Sequence, residues 1–284
     1  MLRRIAVVST TREVPLSEVA QTAAALQIQV SRDLGQHWSA QACVSAFGSL
    51  SDIPTGYWPI VVSDTIPEPG AAGMHLDRHG NPYCLVECGP TWSLAASHEC
   101  LEMLVDPSGN WQIWGPSPMP EQREVGYLVE ICDPCQDAQY GYAIDGVLVS
   151  DFCTPSFFAP KDDAGARYSF TGGIERPLAA MRNGYLSWFD PVSRGWYQQR
   201  YFGSRPKFSS LGLPGAAHRC LREFTGRAEA DHRRLSHFSA AATERMRPRL
   251  RRHAAESTAA AELLQEEIGA LGRRMAPLAF NQRR

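Results

Sequence analysis

Ser97-His98-Glu99-Cys100-Leu101-Glu102-Met103-Leu104-Val105-Asp106-Pro107 is the stretch on which the reading of this chain turns. Residues four apart on an α-helix share a face, with Cβ atoms about 5–6 Å apart, so His98 and Glu102 can point at one ion. Imidazole nitrogen and carboxylate oxygen are both good Zn²⁺ ligands. Glu99 lies about 100° further round the helix, where a carboxylate can take a proton from a water that the metal activates. Charges at this spacing also occur on ordinary solvated helix faces. Here, however, Trp92, Leu94, Ala95, Ala96, Leu101, Met103, Leu104 and Val105 make the helix apolar nearly all round. Such a helix is buried, and a buried histidine and two buried glutamates need partners.

Working outward, Thr91 suits the N-cap of this helix, and Pro107, Gly109 and Asn110 end it near Asp106. Upstream, Arg4–Ser9 reads as a buried strand. Leu16, Val19, Ala23, Leu26, Val30 and Leu34 then mark one face of a helix that Gly35 should stop. Ala42–Phe47 and Trp58–Ser63 read as short strands of one sheet, and Gly73–Leu76 and Tyr83–Glu87 as a hairpin at its rim. Downstream of a Pro-rich connection (Gly115–Pro120), the candidate strands are Val125–Cys132, Tyr140–Ile144, Val147–Phe152, Tyr185–Trp188 and Trp196–Tyr201. Asp145-Gly146 is a strong two-residue hairpin signal between two of them.

The H-E-x-x-E spacing resembles the H-E-x-x-H helix of the zincin metallopeptidases, and the order of elements resembles theirs too. In that fold a strand, a backing helix, further strands and an exposed edge strand precede the active-site helix. The resemblance implies a zinc metallopeptidase-like hydrolase holding one Zn²⁺, with His98 and Glu102 as ligands and Glu99 as general base. It also implies a peptide or protein substrate laid along the edge strand. The sequence departs from the family where Glu102 replaces the second histidine, which adds negative charge and lowers the ion's Lewis acidity. The longer phrase S-H-E-x-L-E-M-L-x-D-P-x-G-N, Ser97 to Asn110, is also similar to that of an uncharacterised family of bacterial proteins, which supplies no activity.

A third ligand is needed, and Glu130, Asp133 and Asp106 are the candidates. Asp106 lies about 12 Å beyond His98 along a continuous helix, so it reaches the ion only if the helix unwinds first. Glu130 sits in Tyr127-Leu128-Val129-Glu130-Ile131-Cys132-Asp133. By strand alternation it faces the same way as Leu128 and Cys132, so it is buried with either an ion or an arginine. Of the two, Glu130 is favoured, because Asp106 can bond to the backbone of its own turn. His75 and His79 in the hairpin are further possible site groups.

Hydrophobic residues make up 44% of the 284 and charged residues 20%, enough for a sizeable core. The net charge of −2 is unevenly spread: residues 216–284 hold 14 arginines and 8 acids, leaving the rest of the chain strongly acidic. The expected organisation is an α+β, zincin-like body over 1–215 and an Arg-rich helical extension over 216–284. The body has a mixed sheet, a backing helix, an active-site helix over about 91–106 and a hairpin-rich part over about 124–203. Leu250, Ala254, Ser257, Ala261, Leu264, Ile268 and Leu271 form a helical seam, which makes residues 249–274 a surface for self-association or a protein partner. A catalytically inactive zincin-like protein that assembles or docks through these helices is the rival reading.

Ile5–Val8 is too short for a signal peptide's apolar core or a membrane span, so a cytoplasmic protein with no membrane partner is expected. Eight scattered cysteines then read as reduced thiols. Cys132-Asp133-Pro134-Cys135 has redox-motif spacing but lacks the helix that such a thiol needs at its N-terminal end. The arginines at 245, 247, 249, 251 and 252 could neutralise phosphates, but later acids on the same stretch favour a solvated face over nucleic-acid binding.

Overall fold

Apolar and β-branched runs bounded by Gly, Ser and Pro turns build the first sheet. The structure, a computed structural model, describes residues 2–227 apart from 69, 160–164, 216, 217 and 219. β1 (Arg3–Ser9), β2 (Ala42–Phe47), β3 (Trp58–Ser63), β4 (Gly73–Asp77) and β5 (Pro82–Glu87) lie in the order β2-β1-β3-β5-β4. β1 runs parallel to β2 and β3, and β3 parallel to β5. β4 alone is antiparallel, hairpinned to β5 and forming the outer edge.

Two long helical segments cover this sheet. α1 (Leu16–Ile28) packs on β1 and β2. The helix does not stop at Gly35: it widens into a π-helical stretch, Gln29–Leu34, and continues as α2 (Gly35–Trp38) to Ser39, whose φ is 50°. A Cβ at Gly35 would lie 3.2 Å from the Val30 carbonyl oxygen, so this glycine serves a close backbone approach inside the helix rather than a stop. α3 (Trp92–Val105) lies over β3, β4 and β5 and touches α1.

The second sheet is antiparallel. β6 (Gln112–Pro116), β7 (Glu124–Leu128), β10 (Tyr185–Asp190), β11 (Gly195–Arg200) and β12 (Lys207–Gly212) take the order β12-β11-β10-β7-β6. β8 (Tyr142–Ile144) and β9 (Val147–Val149) form the hairpin expected from Asp145-Gly146, whose φ values of 47° and 82° are those of a type I′ turn. A short α4 (Pro155–Phe158) follows. β6 takes up part of the stretch expected to be only a connection, and Pro116 is accommodated because it ends an edge strand, where a missing N–H costs no ladder bond. β12 was also not expected; its sequence, Lys-Phe-Ser-Ser-Leu-Gly, has few residues of high strand propensity.

One apolar core, including Ile5, Leu26, Val86, Leu101, Tyr127 and Trp188, takes in residues of both sheets and of α3. The chain is therefore a mixed α+β protein, and no helix among its described residues is long and apolar enough to cross a membrane. The seam over Leu250–Leu271, the surface over 249–274 and the arginine cluster lie outside the described residues. α5 (Leu221–Arg227) is described, and it packs on the body although it follows the expected boundary at 215. Leu221 N–H donates to Asn110 Oδ1 (2.9 Å), Arg222 N–H to the Gly109 carbonyl (3.0 Å) and Gln198 Nε2 to the Thr225 carbonyl (3.4 Å).

Candidate metal centre

α3 is buried on nearly every side from Leu94 to Met103, so its polar residues are carried inside the protein. His98, Glu99 and Glu102 are 6%, 4% and 0% exposed. Three other elements converge on them. β4 supplies His75, the segment after β7 supplies Glu130 and Asp133, and α5 supplies Arg222, all buried.

The segment after β7 departs from the expected strand. β7 ends at Leu128, and the Glu130 N–H bonds back to the Leu128 carbonyl (3.1 Å), so strand alternation does not govern Glu130. Glu130 is buried all the same. A 3₁₀ turn over Asp133–Cys135 then turns the Asp133 carboxylate to the centre. Gly184 presses on this turn: a Cβ there would fall 2.4 Å from the Pro134 carbonyl oxygen and 2.8 Å from that of Asp133. The edge strand is equally close to Glu99, since a Cβ on Gly73 would lie 2.9 Å from Glu99 Cγ.

His98 Nε2 stands 3.3 Å from Glu102 Oε2 and 3.2 Å from Asp133 Oδ1. These separations exceed the roughly 2.7–2.9 Å of a charge-assisted hydrogen bond. They lie close to the roughly 3.3–3.6 Å between ligand atoms of a tetrahedral ion with bonds of about 2.0–2.2 Å, the second just short of it. Glu102 Oε1 accepts the Cys132 N–H at 3.0 Å, which fixes the carboxylate. Among the described residues, Glu130 Oε1 and Asp133 Oδ2 are buried without a hydrogen-bond donor. Acidic oxygens so placed suit a cation. Among the described residues, three ligand sets fit within 4.8 Å: His98, Glu102 and Cys132; His75, Glu99 and Glu102; and Glu102, Glu130 and Asp133.

Arg222 is the other cation of the centre. Its Nη1 bonds Glu102 Oε2, Glu130 Oε2 (2.9 Å) and His75 Nδ1, and its Nη2 bonds Glu99 Oε2 at 2.8 Å. The arginine reading of Glu130 thus holds for one of its oxygens and leaves the other unmatched. Burial opposes every charge here, and the neighbours decide the outcome. For His98, Glu102 and Asp133 outweigh burial and hold the imidazole pKa well above its usual value. For Glu99 and Glu102, the cations Arg222 and His98 outweigh burial, and both carboxyls sit below the usual range. Glu130 is pushed well above that range by burial, which Arg222 does not overcome, and Asp133 is raised by burial and by Glu102. Burial and Arg222 together lower His75.

Asp106 is not brought to this cluster. Its Oδ1 accepts from Ser108 Oγ (3.0 Å) and its Oδ2 from the Trp111 N–H (2.7 Å), so it caps its own turn. His79 is exposed in the hairpin turn. All eight cysteines are free, and burial raises the Cys132 and Cys135 thiols well above the usual value, the reverse of an activated redox pair. Arg222 was missed because it lies 120 residues beyond Glu102 in a segment whose composition marks it as separate. The one available signal was the surplus of acids in residues 1–215. Compared with known proteins, the chain matches no family model, no curated protein and no solved structure.

Proposed function

We propose that the chain is a zincin-like, zinc-dependent hydrolase whose most fitting substrate is an extended peptide. The observation that carries this reading is the buried meeting of His98 Nε2 with Glu102 Oε2 (3.3 Å) and Asp133 Oδ1 (3.2 Å), with two acidic oxygens that have no donor among the described residues, beside an edge strand and an open cleft. The order of elements before α3 and the antiparallel outer strand also support it. The cleft is lined by Gly73, His75, His98, Glu99 and Asp133, so it reaches both the edge strand and the cluster.

His98, Glu102 and Asp133 would hold the ion, with Glu130 beside them. Bound there, Zn²⁺ would act as a Lewis acid and lower the pKa of water towards neutrality. β4 would align a peptide by main-chain hydrogen bonds along its free side. Glu99, on the cleft side of α3, would take the proton from the attacking water and return it to the departing amine. His75 lies 3.4 Å from Glu99 Oε2 and orients that carboxylate.

The pairing of Arg222 with Glu99 and Glu102 favours a second reading, a catalytically inactive relative in which the guanidinium stands in for the ion. Metal content and turnover separate the two. Protein purified without added metal should carry one equivalent of zinc that is lost in His98→Ala. It should cleave an unstructured protein substrate, and Glu99→Gln should abolish cleavage while keeping the metal. Zinc-free protein that gains no zinc on titration and cleaves nothing would leave the inactive reading standing.

A further inference from the structure

Arg222 and a metal ion would draw on the same atoms. Glu102 Oε2, 3.3 Å from His98 Nε2, also accepts from Arg222, and the remaining guanidinium bonds hold Glu130 and the proposed base Glu99. An ion and a guanidinium sharing one carboxylate oxygen repel each other, and Arg222 on its Oε2 makes Glu99 a weaker base.

The attachment of α5 points the same way. It spans seven residues, and its most buried side chains among the described residues are Arg222 and Thr225, both polar. No large apolar side chain anchors it; Leu221 and Phe224 are only half-buried. The described contacts that hold the helix are polar: the charge of Arg222, the receiving turn and the Gln198 bond to the Thr225 carbonyl. Asp106 caps that turn, and Gly109 has φ +63° and leaves no room for a Cβ, which would lie 2.9 Å from Arg222 Cβ and 3.2 Å from Cys220 Sγ. Asn110 Oδ1 accepts the first N–H of α5. The Asp106-to-Asn110 half of the segment that begins with His98 is thus built to receive α5.

We propose that α5 is a self-inhibitory plug: docked on the Asp106–Asn110 turn, it lays Arg222 on the carboxylates as a displaceable cation, and metal loading requires its release. The inference rests on the zinc-site reading, and the test separates the two. Zinc affinity of the full chain is measured by competition with a chromophoric chelator in wild type, Arg222→Met and Asn110→Ala. Asn110→Ala loosens the plug without touching the cluster, so it carries the test if Arg222→Met fails to fold. Both variants should bind zinc at least tenfold more tightly than wild type. Zinc should speed hydrogen exchange of amides 221–227 in wild type. Equal affinity in all three proteins, or slower exchange at 221–227 with zinc, overturns the plug while leaving the zinc site standing. If no protein binds zinc, even with the plug loosened, the zinc-site reading itself fails and the plug with it.

Discussion

Replacing Ser97 by alanine tests how α3 is held, because Ser97 links this helix to the elements behind it. Its Oγ donates to Gln29 Oε1 (2.7 Å) and accepts the Ser150 N–H (2.9 Å), and it is fully buried. Gln29, on the π-helical stretch, passes the network on through Nε2 to the Ser150 carbonyl and to Tyr142 Oη, which donates to Asp33. Alanine strands one buried donor and one buried acceptor, each costing about 1–3 kcal/mol. The higher helix propensity of alanine returns about 0.5 kcal/mol, so Ser97→Ala should lose about 1.5–5.5 kcal/mol. At roughly 2–4 °C per kcal/mol for a body of this size, the melting temperature falls by about 3–22 °C. Ser93→Ala is the control on the same helix, since Ser93 Oγ only donates to the Leu148 carbonyl at a half-buried site; it should lose about 0.5–1.5 kcal/mol. Urea denaturation of the full chain with a chelator present measures both. If Ser97→Ala costs no more than Ser93→Ala, the network does not anchor α3 and the argument fails.

Three further outcomes are expected. Asp133→Asn should abolish zinc binding, Glu130→Gln should weaken it, and Asp106→Asn should keep it while costing about 1–2 kcal/mol from the turn that Asp106 caps; isothermal titration and melting curves read both quantities, and loss of zinc in Asp106→Asn alone would relocate the ligand set. Gly184→Ala forces a methyl into the backbone of Asp133 and Pro134 and should cost about 1–3 kcal/mol, or more if the turn cannot shift, with weaker zinc binding as Asp133 moves; an unchanged melting temperature and affinity would show that the contact is slack. With its folded pKa raised above the ordinary 6.5, His98 contributes stability that is fully present below that pH and is lost as the pH rises through the folded value. The metal-free wild type should therefore lose stability above about pH 6.5 more steeply than His98→Gln, and parallel curves of urea midpoint against pH would refute this.

The elements legible in the sequence were those whose signals are local. Ala42–Phe47 and Trp58–Ser63 are apolar runs between turn residues, and Asp145-Gly146 needs only its own positive φ values. α3 was readable because its apolar residues surround the polar ones. What the sequence hid was set by partners. β12 takes its strand form from β11, and Pro116 is tolerated only because β6 is an edge. Alternation placed Glu130 correctly as buried but for the wrong reason, since the ladder ends at Leu128. His98, Glu99 and Glu102 could be grouped from spacing alone. Asp133 needed the 3₁₀ turn, and Arg222 needed the contact with the Asp106–Asn110 turn.

The spread of the centre along the chain sets a timetable for its birth on the ribosome. His75, the α3 residues and the Glu130–Asp133 segment are all made before Arg222, which follows His75 by 147 residues. Asp133, the last of the acids, precedes Arg222 by 89 residues, so at about 5–20 residues per second the complete acid set waits roughly 4–18 s for its arginine. During that interval the nascent chain holds carboxylates that no guanidinium has yet reached. On the proposed zinc-site reading, a divalent ion met in that interval would have first claim on these carboxylates, before the guanidinium could compete for them.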